Sequence, residues 1–293
     1  MTPFARRHPQ AFGVLVTFAG VMVFVPDALV MRLIGGDMMA LAVFRGLMSG
    51  TIFLVALRLF APSAMPGKGE WFDRKGLLVI ASCAAGMISF CAAMGNTSAA
   101  NALLILSVAP FMAALLSWLF LSERIDRPTA LAIVVVFAGV LIVASGSLGH
   151  GRLLGDAFAL MNAATIAAYY VTLRTTGSRN MLTHVALGNL LGGLIALPFA
   201  DFVPLDGTGI LLVLISGALI QPLAAALLML GPRYLPAAEV SMITLLEVVL
   251  GPLLVWLVLA ENPGTRSLIG GAVILIAIAA HSLRRLTQPE SPA

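Results

Sequence analysis

Apolar stretches of about 20 residues recur along the whole chain, and short segments rich in Gly, Pro, Asn and charge separate them. An α-helix of that length spans the hydrocarbon core of a bilayer. The longest connection, near 60–75, contains three turn-forming residues and is predicted to be a loop, so residues 1–293 are predicted to form a single membrane domain. We predict an all-α protein with ten transmembrane helices, at 11–32, 37–59, 76–95, 98–121, 129–146, 153–173, 182–200, 209–231, 236–260 and 264–283.

Composition agrees with this pattern, because charged residues make up 10% of the chain and hydrophobic residues 60%. Such a balance is typical of a protein whose main solvent is lipid rather than water. The net charge of +4 could indicate nucleic-acid binding, but the basic residues sit at the ends of the predicted helices and form no block. The expected partners are therefore the lipid bilayer and a small-molecule substrate, and no nucleic acid.

The distribution of Lys and Arg predicts the orientation of the chain. On the side of the N-terminus lie 13 of the 17 basic residues, 3 lie on the opposite side, and Arg45 lies inside a predicted helix. Basic residues concentrate on the cytoplasmic side of membrane proteins. We therefore predict a multi-pass protein of the cell inner membrane with both termini in the cytoplasm.

An internal repeat relates the two halves of the chain. At an offset of 138 residues, segment 98–124 aligns without a gap on 236–262, including a Trp and a Glu in each copy. At an offset of 142 the paired glycines of one GxxxG motif fall on those of another, Gly46 and Gly50 on Gly188 and Gly192. The predicted repeats, 11–147 and 152–285, each hold five helices. Because five is odd, the two copies must cross the membrane in opposite directions, an arrangement typical of secondary transporters.

The segment ALLILSVAPFMAALLSWLFLSERI (102–125), followed by Gly139, resembles the signature of EamA-type carriers in the drug/metabolite transporter superfamily. Its counterpart at 237–263 and the FRG triplet at 44–46 resemble the same family. Within the superfamily the chain is most similar to amino-acid exporters of the YddG type. Where the second copy often reads Glu-Pro, this chain has Glu247-Val248 and a proline at 252, so a helix break is expected to be displaced toward Pro252.

The resemblance implies that helices 1–4 and 6–9 surround a central cavity, with helices 5 and 10 as outer supports. It also implies transport without a cofactor and without an ATP-hydrolysing subunit. The chain itself contains no GxxxxGK[ST] phosphate-binding loop.

Two ionisable residues fall inside predicted helices, Arg45 in the second and Glu247 in the ninth. A charge at that depth costs roughly 2.5–3.5 kcal/mol on insertion scales, so it usually faces a cavity or a partner. One hypothesis is that both face the cavity and bind the carboxylate and ammonium groups of a zwitterion such as an amino acid. The alternative is a structural pair that fixes helix packing and never contacts substrate.

Uncharged polar residues also collect near mid-membrane depth and are candidate substrate contacts, because amides and hydroxyls bind either end of an amino acid at a lower desolvation cost than a charge. Interhelical hydrogen bonds are the alternative role. Tyr169 is one candidate; it and Tyr170 lie in the cytoplasmic half of their helix, where we expect one of the two to gate the cavity and the other to belong to an interfacial aromatic belt. The other candidates are Ser89, Ser107, Asn162, Asn189 and Gln221.

Prolines interrupt four predicted helices and are candidate hinges, since each leaves a carbonyl four residues earlier without its helical hydrogen bond. Simple kinks are the alternative for Pro26, Pro110, Pro222 and Pro252.

A membrane enzyme and a channel are the main competing functions. All four histidines lie at predicted helix ends or loops, and no HExxH motif or pair of carboxylates at one depth is present, so no catalytic activity is predicted. A channel needs an open polar ring, whereas inverted repeats favour alternating access. The sequence thus predicts a carrier for small amphipathic metabolites, first of all amino acids, with export favoured and nucleobases or drugs as alternative substrates.

Overall fold

The computed structural model describes residues 8–60, 62, 65–67, 70–71, 73–96, 102, 105–122, 125, 127–145, 153–177, 179–260 and 265–287. All regular secondary structure in this part of the chain is helical. The first half contains α1 (Pro9–Ile34), α2 (Met38–Phe60), α3 (Arg74–Asn96), α4 (Ala109–Leu121) and α5 (Arg127–Ser145).

The second half contains α6 (Leu153–Thr176), α7 (Leu182–Ala196), α8, α9 and α10 (Thr265–Thr287). Helix α8 has two α-helical parts, Gly207–Leu214 and Gln221–Leu228, joined by the π-helical segment Ile215–Ile220. Helix α9 also has two parts, Ala237–Thr244 and Leu246–Leu259.

Six of the described helical stretches are long and apolar enough to cross a bilayer: Pro9–Met31, Met38–Phe60, Arg74–Asn96, Leu182–Phe199, Gly207–Arg233 and Ala237–Leu259. Shorter apolar helices follow at Ala109–Leu121, Arg127–Gly139 and Leu268–His281. The prediction of an all-helical multi-pass membrane protein is confirmed. That ten helices cross the bilayer stays a prediction.

Helix α4 differs from the continuous helix predicted at 98–121. A turn at Ser107 and Val108 interrupts it: Ala102, Ile105 and Leu106 are helical before the turn, and α4 begins after it at Ala109. Pro110 explains this break, because it has no N–H to donate to the carbonyl of Leu106, four residues earlier. Residues 98–101, in the first turns of the predicted helix, lie outside the described residues.

The break in α9 lies at Leu245, and not near Pro252 as expected. The N–H of Leu245 donates to the carbonyl of Met242, and the N–H of Val248 donates to the carbonyl of Leu245, so the chain tightens there for one turn. The second part of α9 then continues through Pro252, because membrane helices tolerate proline where neighbouring groups compensate for the lost bond. At the 138-residue offset Leu245 corresponds to Ser107, so both repeats break at the same place.

Glycines allow α2, α7 and α3 to approach closely. A Cβ atom added to Gly46 would lie 2.6 Å from the carbonyl oxygen of Asn189 and 2.8 Å from the Cα of Gly193. On the other face of α7, a Cβ on Gly188 would lie 2.9 Å from the carbonyl oxygen of Ile80 in α3. These are contacts with backbone atoms, which cannot rotate away. The GxxxG pairs therefore set the spacing of three central helices.

The Gly46→Ala variant is expected to lose about 1–3 kcal/mol of stability, because the added methyl group forces α2 away from α7. Gly207→Ala is the matched control, since a Cβ there would meet no atom within 4 Å. Thermal unfolding of both purified variants in detergent measures the difference. Equal melting temperatures for the two variants would contradict this account of the α2–α7 contact.

The start of α1 and the end of α10 lie at one face of the bundle, which we call the terminal face. Phe12 packs edge-on against Tyr234 in the α8–α9 loop, with ring centroids 5.1 Å apart. His281 Nε2 lies 3.9 Å from an oxygen of Glu239 at the start of α9. The α6–α7 loop (177–181) belongs to this face as well, because Arg233 Nη2 donates to the carbonyl of Arg179 at 2.6 Å.

The opposite face is formed by the α1–α2 loop (35–37) and the α7–α8 loop (200–206). Asp37 Oδ1 accepts a hydrogen bond from the backbone N–H of Ala40 at 2.7 Å and another from that of Asp201 at 3.2 Å. Phe44 and Phe202 pack edge to face at 5.7 Å. The two loops are therefore held together at this face.

Candidate functional site

A cavity of about 220 Å³ lies between the two halves of the chain. Its lining comes from α1, α2, α3 and the start of α4 in the first half and from α6, α7, α8 and α9 in the second. Helices α5 and α10 contribute none of the lining among the described residues. Much of the wall is apolar, including Phe24, Met87, Phe90 and Leu228. An apolar cavity with few polar groups suits a small amphipathic molecule.

Six of the eight candidate substrate contacts line this cavity: Arg45, Asn162, Tyr169, Asn189, Gln221 and Glu247. The other two lie outside it. The hydroxyl of Ser89 donates to the carbonyl of Ala85 at 2.6 Å, one helical turn earlier, so its hydrogen-bond partner lies within its own helix. Ser107 is fully buried in the turn before α4.

Arg45 forms a buried ion pair with Asp27. Arg45 Nη2 lies 2.6 Å from Asp27 Oδ2, and the two side chains are 3% and 2% exposed. The second carboxylate oxygen of Asp27 accepts a hydrogen bond from Ser216 Oγ at 2.7 Å. Arg45 Nη1 also points at the sulfur of Met31 at 3.0 Å. The pair thus joins α1, α2 and α8.

Sequence reasoning missed Asp27 as the partner of Arg45. Asp27 stands inside the first predicted helix directly after Pro26. A carboxylate there carries the same insertion cost as Arg45 or Glu247, and this cost was the available signal.

Gln221 adds a third polar group to the buried pair. With its amide turned so that the oxygen faces Arg45, that oxygen accepts hydrogen bonds from Nε at 3.1 Å and from Nη2. This orientation follows from the hydrogen bonding, because oxygen and nitrogen of an amide are otherwise equivalent in shape. The guanidinium of Arg45 is therefore held by groups of the protein itself.

The asparagines of the cavity differ in their contacts. Asn189 Nδ2 donates to Ser49 Oγ at 3.0 Å and so links α7 to α2. Asn162 lies on α6, and its backbone carbonyl accepts from Thr165 Oγ1 at 2.8 Å. Both Asn162 and Thr165 line the cavity. Asn189 therefore contributes to helix packing, and Asn162 presents its amide beside a hydroxyl.

Glu247 reaches the cavity because the break at Leu245 precedes it. Its side chain is half-buried, and no cation of the described residues forms an ion pair with it. With Asp27 and Arg45 neutralising each other, Glu247 is the carboxyl of this group that has no counter-charge among the described residues. A cation inside the cavity would therefore find its partner at Glu247.

Two tyrosines of α6 border the side of the cavity that faces the terminal face. The rings of Tyr169 and Tyr170 lie 5.3 Å apart at an angle of 52°, and both line the cavity. Tyr169 also packs against the buried cluster around Leu173 and Met181. That one of the two tyrosines gates the cavity stays a prediction.

The four candidate hinge prolines occupy different settings. Pro26 lies inside the uninterrupted α1, and Pro110 lies in the first turn of α4. Pro222 is the second residue after the π-helical segment of α8, and it leaves the carbonyl of Ala218 without its α-helical bond. The side chain of Pro252 lies outside the described residues. Their action as hinges stays a prediction.

Comparisons with known proteins agree with this architecture. A crystal structure of a protein has a similar fold, with a TM-score of 0.79 over 95% of this chain and 100% of the other and 17% sequence identity. At that identity the similarity shows the fold alone. A search of curated proteins finds no match.

The family model of the EamA-like transporter family matches this chain twice, over residues 11–145 and 153–283. Both matches together cover most of the sequence, and they confirm the resemblance to EamA-type carriers. The protein is therefore a membrane transporter that belongs to the EamA-like transporter family.

Proposed function

We propose that the protein is a secondary carrier of the inner membrane that works by alternating access, with ten spans in two inverted halves and both termini in the cytoplasm. The positions of the loops support the inversion. The 142-residue offset pairs the α1–α2 loop with the α6–α7 loop, and these lie at opposite faces of the bundle, where Asp37 contacts Asp201 and Arg179 contacts Arg233. Equivalent parts of the two halves thus point in opposite directions, and the cavity lies between them.

In this proposal the substrate is a small amphipathic metabolite that carries an ammonium group. Amino acids are the favoured substrate class, and export from the cell is the favoured direction of transport. The observation that carries it is the charge arrangement of the cavity. Arg45 is neutralised by Asp27, and Glu247 is left as a carboxyl without a counter-charge beside apolar and aromatic walls. A primary amine fits that environment, because its charge pairs with Glu247 while its apolar part contacts Phe24 and Phe90.

This arrangement changes the expected role of Arg45. A guanidinium already bound by Asp27 and Gln221 is not an open acceptor for the carboxylate of a substrate. The carboxylate of an amino acid is therefore assigned to Asn162, whose side-chain amide can donate hydrogen bonds, since the hydroxyl of Thr165 already donates to the carbonyl of Asn162. Arg45 stabilises the wall of the cavity instead.

Uptake of radiolabelled compounds into proteoliposomes tests this proposal. The panel contains phenylalanine and leucine, their decarboxylated amines phenethylamine and isoamylamine, and uncharged nucleobases as the matched class without an ammonium group. Saturable uptake of at least one ammonium compound is expected, with no uptake of the nucleobases. Saturable uptake of nucleobases alone would overturn the substrate class, and no saturable uptake of any compound would count against the proposed carrier.

A further inference from the structure

A charged junction closes the terminal face below the cavity. Arg179, in the α6–α7 loop, binds the carboxylate of Asp73 with two nitrogens, at 2.7 and 3.0 Å. Its Nη2 also donates to the carbonyl of Glu70 at 2.7 Å, and that carbonyl lies 3.0 Å from His184 Nε2. Asp73 and Glu70 belong to the α2–α3 loop of the first half, and Arg179 belongs to the second. The junction therefore ties the two halves together.

The hydrogen bonds with Arg179 lower the pKa of the Asp73 carboxyl below its ordinary value. Asp73 is therefore ionised at neutral pH. Because the pKa is lowered, the stabilisation is present at neutral pH and is lost only as the pH falls through the lowered pKa.

A buried apolar cluster lies between this junction and the cavity. It includes Val79, Leu173, Met181 and Met229, each no more than 2% exposed. Val185 belongs both to this cluster and to the lining of the cavity. A solute in the cavity therefore meets a closed apolar layer and then a charged junction on the way to the terminal face.

The repeat supplies a weaker counterpart at the opposite face. The 142-residue offset places Arg179 on Asp37 and Leu173 on Met31. Asp37 reaches the α7–α8 loop through one hydrogen bond from a backbone N–H, that of Asp201 at 3.2 Å. The buried residues at this face form two clusters, three residues around Met31 and four around Ala42 and Ala196, which together equal the seven of the cluster around Leu173. The two faces thus differ in charge pairing, because Arg179 joins the halves by an ion pair, whereas Asp37 joins them by a single hydrogen bond from a backbone N–H.

We infer that the Arg179–Asp73 pair is a latch that keeps the terminal face closed, so that the unloaded protein opens preferentially at the opposite face. This inference rests on the proposed carrier function, in which the two faces open in turn. Loss of the latch should shift the population toward a state open at the terminal face, since a contact made in one state alone biases the equilibrium between the two states.

Cys83 is a built-in probe for this state. It lines the cavity and is partly exposed, whereas the other cysteine, Cys91, is buried away from it. In a Cys91→Ser background, a membrane-impermeant maleimide is added to vesicles with a C-terminal tag on the outside. The rate of Cys83 labelling then reports access from the terminal face without any substrate.

Two latch variants are tested. Asp73→Asn removes the charge but keeps an oxygen to accept the 3.1 Å hydrogen bond from the N–H of Gly76 at the start of α3. Arg179→Gln removes the other charge. Each should raise the labelling rate about threefold to tenfold, since partly exposed ion pairs are individually modest but this one has two-point geometry. Arg58→Gln, an exposed charge at the end of α2 outside the latch, should leave the rate unchanged.

The exchanged pair, Asp73→Arg with Arg179→Asp, should return the rate toward that of the parent. Unchanged labelling in both single variants, with melting temperatures equal to the parent, would overturn the latch. Faster labelling in Arg58→Gln would overturn it too, because general loss of charge would then explain the effect. Labelling of Cys83 needs no transport, so the two proposals can fail separately. If the latch variants raise the labelling rate but the protein shows no carrier activity, the proposed function is refuted and the latch is not.

Discussion

The Glu247→Gln variant is expected to reduce transport of an ammonium-bearing substrate by about 30-fold or more, since loss of one partner of a desolvated charge pair costs roughly 2–5 kcal/mol. The amide keeps the size of the side chain and most of its hydrogen bonding, so folding should be preserved. The effect follows from the position of Glu247 in the cavity, where no cation among the described residues forms an ion pair with it. Initial rates of uptake into proteoliposomes measure it.

Asp206→Asn is the matched control for this change. Asp206 accepts a hydrogen bond from the N–H of Gly209 at the start of α8, outside the cavity, and asparagine can accept the same bond. Its transport rate should equal that of the parent. Normal transport by Glu247→Gln between about pH 5 and pH 8 would show that Glu247 is structural, and substrate binding would then be assigned to Asn162, Asn189 and Gln221.

The second large effect is expected at the Asp27–Arg45 pair. Arg45→Gln should destabilise the protein by about 3–5 kcal/mol, because it leaves the carboxylate of Asp27 buried without its counter-charge. Asp27→Asn should destabilise the protein by a similar amount, because it leaves the guanidinium of Arg45 buried without its counter-charge. The double variant removes both charges and keeps polar groups for Ser216 and Gln221, so its stability should return to within about 1.5 kcal/mol of the parent. Thermal unfolding in detergent gives the three values.

Transport by the double variant separates the two roles of Arg45. If the pair is a structural part of the wall, the stable double variant keeps its transport of amines. A double variant that is as stable as the parent but has lost uptake of amino acids alone would show that Arg45, and not Asn162, binds the carboxylate of the substrate.

The sequence predicts the membrane class and the family well, because about 20 apolar residues in a row have few structures open to them. It predicts the helix breaks less well. Pro110 correctly predicts the break before α4. Pro252 predicts a break in the second part of α9, but the break lies at Leu245. A proline shows where a hydrogen bond is lost, but the packing around it decides whether the helix bends there.

The candidate site shows a similar division. The depth of a residue in the membrane can be predicted from the sequence, and six of the eight residues chosen by depth line the cavity. The rotation of each helix cannot be read in the same way, so Ser89 at a similar depth turns to the carbonyl of Ala85. Partner choice depends on that rotation as well, and for this reason the pairing of Arg45 with Asp27 was not predicted.

Counterflow tests the central claim, that this protein is a carrier with one cavity exposed to the two faces in turn, most directly. Proteoliposomes are loaded with an unlabelled compound that the uptake panel identifies as a substrate, and are then diluted into a trace of the same compound in labelled form. A carrier should accumulate the label transiently above its equilibrium level. The unlabelled compound inside occupies the site for most outward steps, so labelled molecules that enter rarely leave again. Glu247→Gln should abolish this peak. A label that rises without overshoot and without saturation would contradict alternating access and indicate a channel.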